Sequence, residues 1–310
     1  MKLDLVSHPG KMFSILTCLF YLIICTTVFP IDSHGMDLND VKKQGVLRHL
    51  GIYYANFVTG SGDGMDVELI KLFAQHLGVK YEFVKTDWDQ IYGDLSGNKV
   101  KKSNGDNVAF VGEAPIRGDL IANGLTVLNW RKKVLDYSDP TFINQVWVIA
   151  RMDLPIAPIK STGNISRDIR AVKKLLKNYT VIGKSDTCLD PSLYALEKTG
   201  AKIILFKRSL SELVPAIINK EADLTLIDVP DAMVALQKYP GQFKIIGPVS
   251  EIQDMAVGFR KDSPELRKAF NIFLQKCKTD GTFNRLVGKY YPYVFKYYPE
   301  FFEKKKGSVQ

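Results

Sequence analysis

The chain has 310 residues, 46% of them hydrophobic, which is enough for one large domain or for two lobes. Charged residues make up 24% of the chain and aromatic residues 11%, so its composition is that of a folded globular protein and excludes a disordered or fibrous one. The net charge of +9 is scattered along the chain. The basic residues form no aromatic–basic groove pattern, so we predict a solvated basic surface and no nucleic-acid partner.

An apolar run near the N-terminus predicts export. Lys2 and Lys11 precede a run over residues 12–30, and the small residue Gly35 follows a short polar stretch. A basic start, an apolar core and a small-residue ending are typical of a signal peptide, here residues 1–35. The run is also barely long enough to cross a membrane as a helix, so an uncleaved anchor is the alternative. In both cases the body of the protein lies outside the cytoplasm, and we predict a periplasmic location.

Strand and helix patterns alternate through the rest of the chain. Apolar residues recur at helical spacing over residues 66–77, and a β-rich run over 141–151 suits a strand that crosses between lobes. Repeated strand–helix units predict an α/β fold with open parallel sheets, and two such blocks, one interrupting the other, predict two lobes joined by two crossings. The predicted boundaries are 36–148 and 249–300 for lobe 1, 149–248 for lobe 2, and 301–310 for a basic polar tail.

Residues 96–115 interrupt this alternation. They are rich in glycine, asparagine and serine, so they predict a surface hairpin or a long loop. After the leader only Cys188 and Cys277 remain, and they fall in different predicted lobes. We therefore expect two unpaired thiols, although an oxidising compartment would permit a disulfide. Two cysteines without a histidine cluster indicate no metal site, and no cofactor is predicted.

Enzyme signatures are missing from the sequence. It contains no Gly-x-Ser-x-Gly elbow, no phosphate-binding loop and no His-Glu-x-x-His motif. Beyond the leader the histidines are His49 and His76, and each suits a structural or exposed position. Nothing in the sequence favours catalysis, so we predict a binding protein that is not an enzyme.

Two charged residues at predicted strand ends suit a zwitterionic ligand. Arg131 follows a predicted strand over residues 125–128, and an arginine there can bind a carboxylate through two hydrogen bonds. The alternative is a solvated basic turn. Asp228 ends the apolar strand over 224–227 and could hold an ammonium group, or could cap the next helix. Ligands of open α/β sheets bind beyond the carboxyl ends of strands, so a cleft between the lobes is expected.

Other residues near strand ends could complete this site. Thr126, five residues before the arginine, could add a hydroxyl or a backbone N–H. Thr187 precedes a helix predicted to begin at Asp190, where backbone N–H groups favour an anion, although an ordinary loop hydroxyl would look the same. Tyr54 and Trp88 could sandwich the aliphatic part of a ligand, or could simply belong to the core.

Three segments resemble those of the bacterial family 3 solute-binding proteins, the polar amino-acid receptors of ABC importers. The strongest is GLTVLNWRKKVLDYSDP at residues 124–140, which is similar to the family's G-M-T-I-T-x-E-R-K-K-x-x-D-F-S-x-P. YANF at residues 54–57 resembles its Y-x-P-F element, and GMDVEL at residues 64–69 resembles its G-F-D-V-D-L helix start. The likeness extends from about residue 45 to about residue 291.

The resemblance implies a two-lobe periplasmic-binding-protein fold of type II, and a monomer that delivers an amino acid or a related zwitterion to an ABC permease in the membrane. It also assigns roles to single residues. The implied contacts are Arg131, Thr126 and Thr187 for the ligand carboxylate, Asp228 and the Gly124 carbonyl for its ammonium, and Tyr54 and Trp88 for its side chain.

The sequence also departs from the family pattern. Asp186 and Cys188 stand where the family usually has glycine and threonine, and Trp130 replaces a glutamate. Residues 96–115 have no counterpart in a typical member. Two alternatives stay open: an enzyme like the cyclohexadienyl dehydratases, with Asp186 or Asp190 as the acid, and a membrane-anchored sensory module that uses the same binding site.

Overall fold

The computed structural model describes residues 37–103 and 105–302. The predicted signal peptide and most of the predicted tail lie outside these residues. In chain order the strands are β1 (Val46–Gly51), β2 (Lys80–Lys85), β3 (Asn98–Lys102), β4 (Val108–Glu113), β5 (Leu120–Ile121), β6 (Leu135–Tyr137), β7 (Phe142–Asn144), β8 (Val146–Arg151), β9 (Thr180–Gly183), β10 (Lys202–Leu205), β11 (Leu224–Asp228), β12 (Phe243–Pro248), β13 (Gln253–Met255) and β14 (Gly258–Arg260).

The helices follow the strands in alternation. They are α1 (Leu38–Gln44), α2 (Met65–Leu77), α3 (Ile91–Ser96), α4 (Ile165–Leu175), α5 (Leu213–Ile218), α6 (Val229–Lys238), α7 (Pro264–Thr279), α8 (Thr282–Tyr290), α9 (Val294–Tyr297) and α10 (Pro299–Phe302). Short 3₁₀ turns cover Arg131–Lys133, Pro191–Tyr194, Leu196–Thr199 and Leu210–Glu212.

Each of two lobes is built on a five-stranded sheet, as the alternation predicted. In lobe 1 the strand order is β2-β1-β5-β14-β6, and β1 runs parallel to β2 and β5. In lobe 2 the order is β10-β9-β11-β8-β12, with β9 parallel to β10 and β11. The sheets are mixed rather than purely parallel. Strands β14 and β8 follow the crossings between lobes and pair antiparallel with their neighbours.

Two crossing segments join the lobes side by side. Strand β7 leads out of lobe 1, β13 leads back into it, and the two pair antiparallel. The predicted crossing strand over 141–151 is divided at Gln145, which separates β7 from β8. Its side-chain amide donates to the Ser250 carbonyl at 3.2 Å, and the Val146 N–H donates to the Ser250 hydroxyl at 2.8 Å. These bonds hold the outgoing and the returning chain together.

The helix predicted over residues 66–77 is confirmed as α2 and shows how the sequence builds the core. Leu69, Ile70 and Phe73 share one buried face, as their spacing requires. Gly78 ends the helix in the left-handed conformation, with φ of 74°. Each of these side chains contributes roughly 1.5–3 kcal/mol by leaving water.

The strand predicted over residues 125–128 is wrong. Strand β5 ends at Ile121, and Gly124 then turns the chain with φ of 64°. Only an isolated bridge, between Thr126 and Met255, remains in the predicted segment. The apolar residues that suggested a strand instead place Leu125 and Leu128 in the core beneath the loop.

The segment over residues 96–115 forms the hairpin β3–β4, one of the two structures expected for it. Val100 and Val108 pack against the core of lobe 1. At the end of β3, Lys102 reaches lobe 2 and its ammonium lies 2.7 Å from the Asp190 carboxylate. Both side chains are almost fully buried, so the hairpin ties the two lobes together.

We expect Lys102→Met to lower the free energy of unfolding by about 3 kcal/mol, because the buried Asp190 carboxylate would lose its cation. The neighbouring Lys101 is exposed, and Lys101→Met should change the same quantity by less than about 0.5 kcal/mol. Urea denaturation followed by circular dichroism measures both variants. Equal effects of the two substitutions would show that the ion pair contributes nothing.

Candidate functional site

Arg131 is a buried cation at the junction of the lobes. It begins the 3₁₀ turn Arg131–Lys133 and is only 1% exposed, so it is not a solvated basic turn. Its Nη1 donates to the Thr126 carbonyl at 2.8 Å, and its Nη2 donates to the Asp186 carbonyl of lobe 2 at 3.1 Å. Its Nε has no partner, and among the described residues Arg131 forms no ion pair. A buried cation without an ion-pair partner favours an anionic ligand.

Three aromatic rings surround the guanidinium. Its carbon lies 5.2 Å from the ring centroid of Trp88, 5.7 Å from that of Tyr92 and 5.3 Å from that of Trp130. Cation–π attraction to these rings offsets part of the cost of burying the charge. Tyr92 and Trp130 were not among the site residues predicted from the sequence, where Trp130 was noted only as a departure from the family pattern. The tertiary structure brings both rings to Arg131.

Backbone donors lie on either side of this cation. Within the described part of the chain, the N–H groups of Thr126 and Thr187 donate no hydrogen bond. The Thr187 hydroxyl is committed to its own turn, donating to the Lys184 carbonyl at 2.8 Å and accepting from the Leu189 N–H at 3.0 Å. Thr187 can therefore offer a ligand its backbone N–H. Its hydroxyl is already used within the turn.

Asp228 caps a helix, which is one of the two roles that the sequence left open. Its Oδ1 caps α6 by accepting the Asp231 N–H at 3.2 Å. Its Oδ2 accepts a hydrogen bond from the Tyr54 hydroxyl of lobe 1, and the Cys188 sulfur lies 3.6 Å from the same oxygen. Burial raises the pKa of Asp228. One oxygen therefore holds the helix start, and the other faces the junction of the lobes.

A second carboxyl group accompanies Asp228. Asp231 lies one turn further along α6 and is half-buried. Burial and the charge of Asp228 both raise its pKa. The charge on Asp228 therefore disfavours a second charge on Asp231. The Asp-x-x-Asp spacing was visible in the sequence, but an acidic residue in the first turn of a helix is ordinarily explained by the helix dipole.

Gly124 forms the bend beneath the site. Its φ of 64° and the Phe57 ring, which would lie 2.5 Å from an added Cβ, leave room for glycine alone. Its N–H donates to Asp66 Oδ2 at 2.7 Å. Burial raises the pKa of Asp66 to about 7. This bond fixes the backbone on which Thr126 and Arg131 follow.

The two aromatic residues predicted to stack on a ligand lie beside different charged groups of the site. Tyr54 is buried beside Asp228, where its ring stacks on Phe57 with 6.2 Å between centroids. Trp88 lies beside Arg131. A cavity of about 390 Å³ adjoins Tyr54, and another of about 140 Å³ adjoins Trp88. The predicted residues thus converge at one junction, with open space on both sides.

Cys188 lies between the two charges. It is buried and free, and burial raises its pKa to about 12, so its thiol stays protonated. Cys277 is also free. In the described ranges no set of three or more histidine, cysteine, aspartate or glutamate side chains is placed to hold a metal ion. No helix between residues 37 and 302, apart from the undescribed residue 104, is both long and apolar enough to span a membrane.

Comparison with known proteins identifies a family that matches most of the chain. The profile of "Bacterial extracellular solute-binding proteins, family 3" matches residues 53–102 and 116–293. The gap in this match covers residues 103–115, so the prediction of an insertion over residues 96–115 agrees with it only for the part after β3.

Two relatives differ in how much of each chain is shared. Membrane-bound lytic murein transglycosylase F of Desulfosudis oleivorans is 27% identical over 74% of this chain, but the match covers only 44% of that protein. The L-cystine-binding protein TcyJ of Escherichia coli is 23% identical over 92% of this chain and 97% of its own. Among solved structures, an ancestral arginine-binding protein bound to arginine has a TM-score of 0.63 at 23% identity, covering 80% of this chain and 98% of its own. That likeness shows the fold.

The raised pKa of Asp231 makes stability depend on pH. Above about pH 4 the carboxyl ionises in the unfolded chain but stays protonated in the folded one, so stability falls as the pH rises toward the folded pKa. We expect Asp231→Asn to reduce the loss of unfolding free energy between pH 5 and pH 7 by at least about 1 kcal/mol. Urea denaturation at both pH values measures it. As a control, Asp106→Asn, on an exposed turn, should show the same decrease in unfolding free energy between pH 5 and pH 7 as the unmodified protein. If Asp231→Asn showed that same decrease, Asp231 would not be the source of the pH dependence.

Proposed function

Because the chain belongs to family 3 of the bacterial extracellular solute-binding proteins, we propose that it captures an amino acid between its two lobes and delivers it to an ABC permease. The solute-binding role follows from the family. The amino acid, the permease and the residues that bind the ligand are our proposals. The observation that carries them is the buried guanidinium of Arg131, whose Nε has no hydrogen-bond partner among the described residues.

The ligand carboxylate would bind at Arg131. It would accept from Nε, which is unpaired, and from the free backbone N–H groups of Thr126 and Thr187. Thr126 lies in lobe 1 and Thr187 in lobe 2, so the carboxylate would contact both lobes at once. Hydrogen bonds from a charged donor to a carboxylate are roughly twice as strong as neutral ones.

The ligand ammonium would bind at Asp228. The Gly124 carbonyl would accept a second hydrogen bond from it, across the junction from lobe 1. Asp231 adds a second carboxyl nearby, and a cation between the two would relieve their repulsion. The Tyr54 hydroxyl and the Cys188 thiol now donate to Asp228, so an ammonium would share or replace these bonds.

The ligand side chain would lie against Tyr54 and Trp88. Flat aromatic faces bury an aliphatic stem without demanding a particular end group. Lobe closure would then follow from the contacts, because a ligand held by Arg131 on one lobe and Asp228 on the other gains most when the lobes meet. Closure also removes water, which strengthens both charge pairs.

Names of similar proteins support an amino acid as the ligand. The E. coli relative is named as an L-cystine-binding protein, and the solved ancestral protein is bound to arginine. Cystine and arginine differ in their side chains but share the amino-acid carboxylate and ammonium groups. Arg131 and Asp228 would hold these shared groups.

The protein belongs to an extracytoplasmic family, and we propose a periplasmic monomer with residues 1–35 as its signal peptide. An uncleaved leader would instead give an anchored sensory module with the same site. N-terminal sequencing of the exported protein distinguishes these two outcomes.

We propose no catalytic step. Of the two acids considered for a dehydratase, Asp190 is engaged elsewhere. Burial opposes its ionisation, but hydrogen bonds from Lys102 and Ser192 outweigh burial and lower its pKa. A carboxylate held in this way is a poor proton donor. Turnover of prephenate or arogenate would contradict the proposal.

We expect Arg131→Ala to weaken binding of the best amino-acid ligand by at least about 30-fold, because the ligand carboxylate would be buried without a cation. Isothermal titration calorimetry against the common amino acids measures this. Arg208→Ala, at an exposed surface ion pair, serves as the control and should bind normally. Circular dichroism shows whether each variant is folded. Unchanged affinity in folded Arg131→Ala would remove the basis of the proposal.

A further inference from the structure

Helix α4 carries a row of basic residues on the surface of lobe 2. Arg167, Arg170 and Lys174 follow one another at intervals of three and four residues, which places them on one side of the helix. All three are exposed, and together they are called the basic row below. Lys173 is half-buried beside the row, and the exposed Lys177 follows the end of the helix.

The opposite side of α4 is fixed in the core of lobe 2. Val172 is fully buried, and its side chain lies so close to Gly247 of β12 that an added Cβ there would approach it to 2.7 Å. The Asn164 side chain caps the helix by accepting the Arg167 N–H at 3.0 Å. Because these contacts hold the helix in place, the basic row faces outward.

The basic row has no ion-pair partner in the part of the chain that the structure describes. Asp168 is the one acidic residue of α4, and it is buried. Its carboxylate accepts from the Ser161 hydroxyl at 2.9 Å and from the Thr162 N–H at 3.0 Å. Hydrogen bonds from Thr162 lower the pKa of this carboxyl most, and the charge of Arg167 adds to them. One buried negative charge thus faces the whole row.

Two further acidic residues lie near the ends of α4. Glu251 accepts a hydrogen bond from the Ser166 hydroxyl at 3.0 Å, at the start of the helix. Glu197 lies in the 3₁₀ turn Leu196–Thr199, which packs beside α4, and the basic Lys198 follows it in the same turn. Neither glutamate forms an ion pair with a described residue, so the surface of α4 remains positive overall.

The charges of the two arginines oppose helix formation. Arg167 lies in the first turn, where the positive end of the helix dipole repels a cation. Arg170 precedes Lys173 and Lys174 by three and four residues, and like charges at these spacings repel each other. The two lysines have a local explanation, because cations in the last turn favour the dipole. The two arginines have none within the helix, which points to an anion outside the protein.

We propose that the basic row binds the surface of an anionic phospholipid bilayer. Each cation near anionic headgroups raises the affinity for a membrane by about five-fold. The row extends about 10 Å along the helix, which is more than one phosphate or carboxylate group can span. A continuous layer of anionic headgroups can contact all of its charges at once.

A protein partner fits this surface less well than a bilayer. The centres of protein interfaces are rich in aromatic residues and poor in lysine. Leu175, at 36% exposure, is the one exposed large apolar side chain of α4. A diffuse anionic surface needs no apolar contact, so it suits a face of this composition. The basic row is separate from Arg131 and Asp228, and the inference is therefore independent of the proposed function.

The experiment measures co-sedimentation of the exported chain with vesicles of phosphatidylcholine, with and without phosphatidylglycerol. We expect binding only where phosphatidylglycerol is present, and weaker binding as the salt concentration rises. Combining Arg167→Gln, Arg170→Gln and Lys174→Gln should lower the partition coefficient by at least about 30-fold. Glutamine retains helix propensity, so circular dichroism should show that this variant is folded.

A control variant removes the same net charge from other surfaces. It combines Lys80→Gln, Lys99→Gln and Lys276→Gln, all at exposed positions. Its partition coefficient should stay within about 3-fold of that of the unmodified protein, because salt screens charges far from the contact. Residues 1–35 and 301–310 are the same in all three proteins, so a difference between the variants reports on the basic row.

Equal losses in the two variants would attribute binding to net charge and overturn the inference. Equal binding to vesicles with and without phosphatidylglycerol would also overturn it. Absence of binding to both kinds of vesicle would overturn it and leave an acidic protein as the alternative partner. Titration calorimetry with the best amino-acid ligand should give the same affinity for the unmodified protein and the basic-row variant, so failure of this inference is distinguishable from failure of the proposed function.

Discussion

The burial of the Arg131 guanidinium is the constraint on which the rest of the site depends. Water solvates this group only slightly, because it is 1% exposed, and two carbonyl oxygens replace only part of that solvation. Three aromatic rings supply further stabilisation. A cation kept in such a place is costly unless an anion pairs with it, and this cost is the basis of the proposed carboxylate site at the junction of the lobes.

The same junction couples ligand binding to the arrangement of the lobes. Arg131 donates to the Asp186 carbonyl, Tyr54 donates to Asp228, and the hairpin carries Lys102 to Asp190, so each contact joins lobe 1 to lobe 2. The first two involve groups that a zwitterion would also contact. The hairpin contact lies beside the site and involves neither Arg131 nor Asp228, so it joins the lobes independently of the proposed ligand contacts.

Much of the architecture was accessible from local patterns. Alternating strands and helices predicted the two α/β lobes, and helical spacing predicted α2 to within one residue. The sequence patterns gave a wrong element where a buried loop and a buried strand have the same apolar residues. Leu125 and Leu128 are apolar because they cover the core beneath a loop, and that requirement looks the same in sequence as a buried strand. The prediction of parallel sheets was also wrong, because the direction of β8 and β14 depends on how the chain re-enters each sheet after it crosses between the lobes.

By itself, the sequence determined which chemical groups are present: the arginine, the aspartates, the glycine that must turn at position 124, and the segments that resemble the family. The tertiary structure decided which groups meet. Tyr54 and Asp228 are 174 positions apart, and Lys102 and Asp190 are 88 apart. Periodicity and propensity report on neighbours within one element, whereas contacts across a junction depend on how the lobes pack, so the partners of Arg131, Asp228 and Asp186 emerged only from the fold.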